Sequence, residues 1–134
     1  MSTPSAGQRV DLDEVVATLR AAGARFAYVH GSVVSGTAGP DSDVDVAAWF
    51  DGRAPDPWTV DLPGRVDLLV LDGAPLELAG RVAMHGELLF DDDPAARVRW
   101  QATTRKIYLD EQHRVERATH DLIDATRPQR PADG

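Results

Sequence analysis

Apolar residues recur along this chain in two periods, and the places where the period changes divide it into elements. Leu12, Val15, Val16 and Leu19 fall on one face of a helix over about residues 12–22. Asp11 stands at its N-cap with Glu14 three residues on, the pattern of a capping box, and Gly23 follows where a C-cap belongs. RFAYVH, residues 25–30, is short, aromatic and β-branched, and reads as a strand that Gly31 breaks. Residues 32–36 have the length for one helical turn, and TAGPDS is loop chemistry. A second strand runs from Asp43 through Val44, Val46, Ala47, Ala48, Trp49 and Phe50. DGRAPDPWTVDLPG, residues 51–64, is mostly loop, and RVDLLVLDG, residues 65–73, is a third strand.

Pro75 opens a second helix to about His85, with Leu76, Ala79, Val82 and Ala83 on its inner face. GELLFDDD reads as a short strand or extended segment. Asp93 and Pro94 form an N-cap and N1 pair that starts a long helical region to about residue 126. Trp100, Thr104, Ile107, Val115, Ala118, Leu122 and Ala125 keep helical spacing there, with a break expected near Asp110. The order α-β-β-β-α-β-α predicts an α+β fold, a small mixed β-sheet with flanking α-helices gathered on one side. Residues 1–127 are expected to form a single domain, and the polar, Pro-rich residues 128–134 a disordered tail.

Composition narrows the chemistry. The 134 residues suit one domain and contain no cysteine, which excludes disulfides, zinc-thiolate sites and a Cys nucleophile. No run of about 18 apolar residues is present, so no membrane span is expected, and the chain reads as cytoplasmic. The net charge of -8 repels nucleic-acid backbones, so no direct nucleic-acid partner is expected. An acidic chain that handles nucleotides needs divalent cations to neutralise their phosphates.

Three acids in apolar surroundings then call for an explanation. Residues i and i+2 of a strand point the same way, so Asp43 and Asp45 share one face while Val44 and Val46 pack on the other. Two carboxylates so close repel unless a cation sits between them. Mg²⁺ is hard, takes oxygen ligands, and is bound by one or two carboxylates plus substrate phosphates. Asp67 lies in the apolar run VDLLVL and reaches the same cluster if the third strand pairs beside the second. Three carboxylates on adjacent strands make a two-metal site. Gly31 lets the backbone approach a phosphate, and the Ser32 hydroxyl can donate to one.

Gly31-Ser32, ten residues, then Asp43-Val44-Asp45 resembles the nucleotidyltransferase signature of the DNA polymerase β superfamily. The length and the downstream VDLLVLDGAPLELAGRVAMHGELLF resemble the minimal nucleotidyltransferases, antitoxins of the MntA type that are encoded beside HEPN-domain ribonuclease toxins. The resemblance covers roughly residues 12–125 and implies a polymerase-β-like fold. It implies Mg²⁺-dependent transfer of AMP from ATP to a tyrosine hydroxyl of a cognate HEPN toxin, with which the chain would form a hetero-oligomer. Asp43, Asp45 and Asp67 match the catalytic, metal-binding acids, and Gly31 and Ser32 the nucleotide-binding turn. Many relatives carry arginines just after the Gly-Ser pair, where this chain has Val33 and Ser35. That departure keeps a non-catalytic antitoxin, neutralising by binding alone, as one alternative. A small-molecule transferase of the aminoglycoside-modifying type is the other.

Other polar and aromatic residues have simpler readings. His30 ends a strand and is expected to be structural, and His85, His113 and His120 lack metal-ligand spacing. Asp91, Asp92 and Asp93 read as a solvated turn and helix cap, and Arg105 and Lys106 as a solvated helix face. Trp49, Trp58 and Trp100 are expected to pack in the interior.

Overall fold

The computed structural model describes residues 10–31 and 43–126. The turn expected over residues 32–36 and the tail over 128–134 lie outside these described residues, as do Ser32, Val33 and Ser35. Helix α1 spans Leu12–Ala21, and the Asp11 carboxylate accepts from the backbone N–H groups of Asp13 and Glu14. The cap satisfies two of the donors that a helix start leaves open. Strand β1 is Phe26–His30, β2 is Val44–Trp49 and β3 is Val66–Val70. Helix α2 is Leu76–His85, β4 is Glu87–Asp91, and α3 runs unbroken over Pro94–Thr126. The expected break near Asp110 is absent; the run from Trp100 to Thr126 contains neither Pro nor Gly to cause one. Pro57–Thr59 adds a single 3₁₀ turn to the loop before β3.

The four strands form one mixed sheet in the order β3-β2-β1-β4. β1 pairs antiparallel with both β2 and β4, while β2 and β3 are parallel. Alternation along the central strands sends residues to two cores. Ala27, Val46 and Ala48 meet Val15 and Leu19 of α1, with Val44 packed against them. Phe26, Tyr28 and Ala47 meet Val82 of α2, with Trp100 of α3 packed against them. The helices therefore flank both faces of the sheet, α1 on one and α2 with α3 on the other, and not one side as expected. The strands explain the correction: alternate residues of β1 and β2 are apolar on both faces, and each apolar face needs a cover.

Aromatic contacts tighten the second core. Trp49 stacks on Phe26 with centroids 5.1 Å apart, and Trp100 lies 5.8 Å from Phe26 and 5.7 Å from Tyr28. Trp58 departs from expectation: it is 81% exposed on the 3₁₀ turn. A three-residue turn carries no second layer that could cover an indole.

The Asp91–Asp93 turn is more than a solvated loop. Asp92 makes two 2.8 Å bonds to Arg20, Asp93 accepts from Arg25 at 3.1 Å, and Asp91 accepts from Arg97 at 3.0 Å. Asp93 also caps α3 through the Ala96 N–H at 3.2 Å. The Arg20 guanidinium stands over the Phe90 ring, 4.8 Å from its centroid. Arg105 is exposed, as expected, and also engaged: its Nε donates to the Ala83 carbonyl at 2.6 Å, joined there by Gln101 at 3.2 Å. Both donors satisfy a carbonyl in the last turn of α2, so they fasten α3 to that helix end. Beyond Glu111 every residue of α3 is exposed.

Candidate active site

The site is built where β1, β2 and β3 end together. Asp45 and Asp67 are Cα partners in the parallel β2–β3 ladder, and His30 faces Asp45 in the antiparallel β1–β2 ladder. Paired residues on neighbouring strands share a face, so His30, Asp45 and Asp67 form one row across three strands. Two residues further along, Tyr28, Ala47 and Leu69 belong to the core beneath α2 and α3. By the two-residue period of a strand, the row lies on that same face, just past the edge of its core. The parallel pairing of the third strand beside the second is thus present. The apolar partners behave as the alternation requires, since Val44 and Val46 pack toward α1.

Asp43 is placed differently from the other two acids. β2 begins at Val44, one residue later than expected, with the Val44 N–H bonded to the Arg65 carbonyl at 2.8 Å. Asp43 is exposed at the mouth of the strand. Among the described residues, no set of three Asp, Glu or His side chains is gathered tightly enough to hold a metal ion as it stands. The donor chemistry nevertheless fits a hard divalent cation, because two carboxylates are matched by register on adjacent strands and substrate phosphates complete such a shell.

Gly31 is required here for two reasons. Its φ is +80°, a left-handed conformation that costs a side-chain-bearing residue strain. A Cβ at this position would also collide with the Asp45 carboxylate. The glycine is therefore both the turn after β1 and the space that the carboxylate occupies.

A cavity of about 830 Å³ opens beside Gly31. His30, Gly31 and Asp45 line it from the sheet, and Leu78, Arg81, Met84 and His85 from α2. Its size falls within the range of small-molecule sites. His30 borders the cavity and is more than a strand terminus. Its Nε2 is buried with no hydrogen-bond partner among the described residues. Burial pushes the imidazole pKa below its ordinary value, while the Asp45 carboxylate opposes that shift. The α2 wall was not foreseen from the core-facing positions of that helix. The signal that finds it is the second face, where Leu78, Arg81 and His85 recur at three- and four-residue spacing.

The comparisons with known proteins agree with this fold. A family model described as polymerase beta, nucleotidyltransferase, matches residues 14–95, a span that contains the whole sheet, the site row and the α2 wall. No curated protein matches the chain. Solved structures match it in fold. A toxin–antitoxin crystal structure with AMP-PNP contains a chain 22% identical with a TM-score of 0.66, covering 85% of this chain and 99% of that one. The toxin–antitoxin MntA–HepT gives 20% identity and a TM-score of 0.60 over 84% of this chain and 96% of that one. A tri-AMPylated Shewanella oneidensis HEPN toxin in complex with MNT antitoxin gives 20% identity and a TM-score of 0.61 over 84% and 95%.

Proposed function

The chain belongs to the polymerase beta nucleotidyltransferase family, and we propose that it is a Mg²⁺-dependent protein adenylyltransferase. In this reading it transfers AMP from ATP to a tyrosine hydroxyl of a cognate HEPN-domain toxin in the cytoplasm, and so acts as an antitoxin. The observation that carries it is the register match of Asp45 with Asp67, where Asp45 and Gly31 line a cavity of nucleotide size. The antitoxin role draws support from the fold likeness to toxin–antitoxin complexes, one with AMP-PNP and one with a tri-AMPylated toxin.

Asp43, Asp45 and Asp67 would hold the divalent cations, which supply charge neutralisation for the triphosphate and Lewis-acid polarisation of the reacting oxygens. Asp67 accepts the proton of the attacking hydroxyl. The hydroxyl oxygen forms a bond to the α-phosphorus in line with the bond to the leaving oxygen, which departs with pyrophosphate. Gly31 lets the backbone approach the phosphates, and the Ser32 hydroxyl donates to them. The balance is one ATP and one tyrosine in, one tyrosyl-AMP and one pyrophosphate out.

The test is the intact mass of the co-purified partner after incubation with this chain, ATP and Mg²⁺. A gain of one or more AMP masses is expected, and it should vanish in the Asp43→Asn/Asp45→Asn variant. Transfer at the unaltered rate by that double variant would overturn the reading. Tight binding of the partner without any mass gain would assign neutralisation to binding alone.

A further inference from the structure

Asp45 lies on the sheet side of the cavity, and the opposite wall has a different chemistry. Along α2 that wall reads Leu78, Arg81, Met84 and His85, an apolar surface interrupted by cationic or cation-capable groups. These residues sit beside the core face formed by Ala79, Val82 and Ala83, which are buried. Leu78 is 44% exposed and Arg81 is exposed, so neither is used up in packing. Among the described residues, Arg81 is the one Arg or Lys that lines the cavity. Its recorded ion pair is to Glu77 one turn back, at 3.5 Å between two well-exposed side chains. Such a contact is worth little in water, so the guanidinium is available to a ligand.

We propose that this face of α2 is the nucleotide-binding wall, with Arg81 gripping the phosphates and Leu78 and Met84 receiving the base. The inference rests on the transferase reading and adds the residues that hold its substrate. A triphosphate that enters a cavity bordered by the Asp45 carboxylate, in a chain of net charge -8, needs fixed positive charge on the far wall as well as cations on the near one. A guanidinium supplies it in a planar fork matched to phosphate oxygens. A purine is flat and apolar on its faces, which suits the exposed Leu78 and the flexible Met84. His85, one turn beyond Arg81 on the same face, adds a second donor toward the same space.

Titration calorimetry of the full chain with ATP and Mg²⁺ tests this. Wild type, Arg81→Ala and Arg81→Lys are compared at two salt concentrations, each variant checked by thermal melting. Arg81 is exposed, so both variants are expected to fold. Arg81→Ala should weaken ATP binding about ten- to hundredfold and flatten its salt dependence, with adenosine affinity changed by less than about twofold. Arg81→Lys should fall between the two. Wild-type affinity in Arg81→Ala would overturn the wall assignment and leave the transferase reading standing. A wild-type chain that binds no ATP would overturn both. Unchanged ATP binding with lost capture of the partner protein would overturn the assignment by giving Arg81 to the acceptor.

Discussion

Two ends of one sheet carry acids, and the two sets are engaged differently. At the end where β4 turns into α3, Asp91, Asp92 and Asp93 each hold an arginine: Arg97, Arg20 and Arg25. At the other end Asp45 and Asp67 stand side by side by strand register. None of the ion pairs among the described residues includes Asp43, Asp45 or Asp67. The first set has its counter-charge built into the chain and fixes the junction of four elements. The second set has no counter-charge among those ion pairs, and in the proposed reading a cation and the phosphates that follow it supply one. Acid density alone does not separate structure from chemistry; the whereabouts of the counter-charge does.

The comparison can be broken most decisively at the Asp45 and Asp67 end. Asp45→Asn and Asp67→Asn should each lower AMP transfer by about a thousandfold, the loss of several kcal/mol of transition-state stabilisation. Melting temperature should hold or rise, because like charges opposite one another weaken a ladder. Partner mass and thermal melts on the same samples read both effects. A lower melting temperature with transfer intact would place these acids with the structural set.

Gly31→Ala should damage both properties at once. The left-handed backbone costs about 1–3 kcal/mol when a side chain is present, and the new methyl displaces the Asp45 carboxylate. Urea denaturation and transfer assays should move together, and a stable, fully active variant would remove the glycine from the site.

At the structural end the pattern should invert. Arg97 and Asp91 are the least exposed pair of the junction, with 26% and 13% side-chain exposure. Arg97→Ala leaves that carboxylate without its partner and should cost roughly 1–3 kcal/mol. The transfer rate measured well below the melting point should stay at wild type.

The smallest effect concerns pH. Burial pushes the Tyr28 hydroxyl up to about 12, from an ordinary value of 10.0. Below pH 10 the tyrosine is neutral in both folded and unfolded chains and its contribution to stability is complete. Between about 10 and 12 the unfolded chain loses the proton first, so stability falls as pH rises. Tyr28→Phe should lose the 3.3 Å bond to Gln101 and yet show a shallower decline in melting temperature over that interval. An equally steep decline in the variant would assign alkaline sensitivity to other groups.

Much of this was legible in the residues. The Asp11 cap, the alternation in β1 and β2, and the Pro94 start of α3 are local signals and appear as expected. Asp45 and Asp67 could be grouped because a charged residue in an apolar strand demands a reason. What local pattern could not supply was partnership over long sequence distances. Arg105 reads as solvated until α2 is seen ending beneath it, and Asp92 reads as a turn until Arg20 arrives from 72 residues away. Trp58 erred in the opposite sense, because an aromatic predicts burial only where a second layer exists to bury it. The core-facing stripe of α2 is the stronger pattern and hides the wall, because a helix beside a cleft has two faces in use.

Helix α3 carries one more consequence. Its 33 residues extend about 50 Å, but the anchoring contacts of Trp100, Gln101 and Arg105 all lie in its first half. The backbone amides of that half open only when the packed body opens. Those past Glu111, exposed throughout, are held by helix cooperativity and local pairs such as His120 with Asp124, and fray from the far end. Amide hydrogen exchange along this single helix should therefore slow by orders of magnitude from residue 126 back toward residue 100. One uninterrupted element would then report two separate opening equilibria.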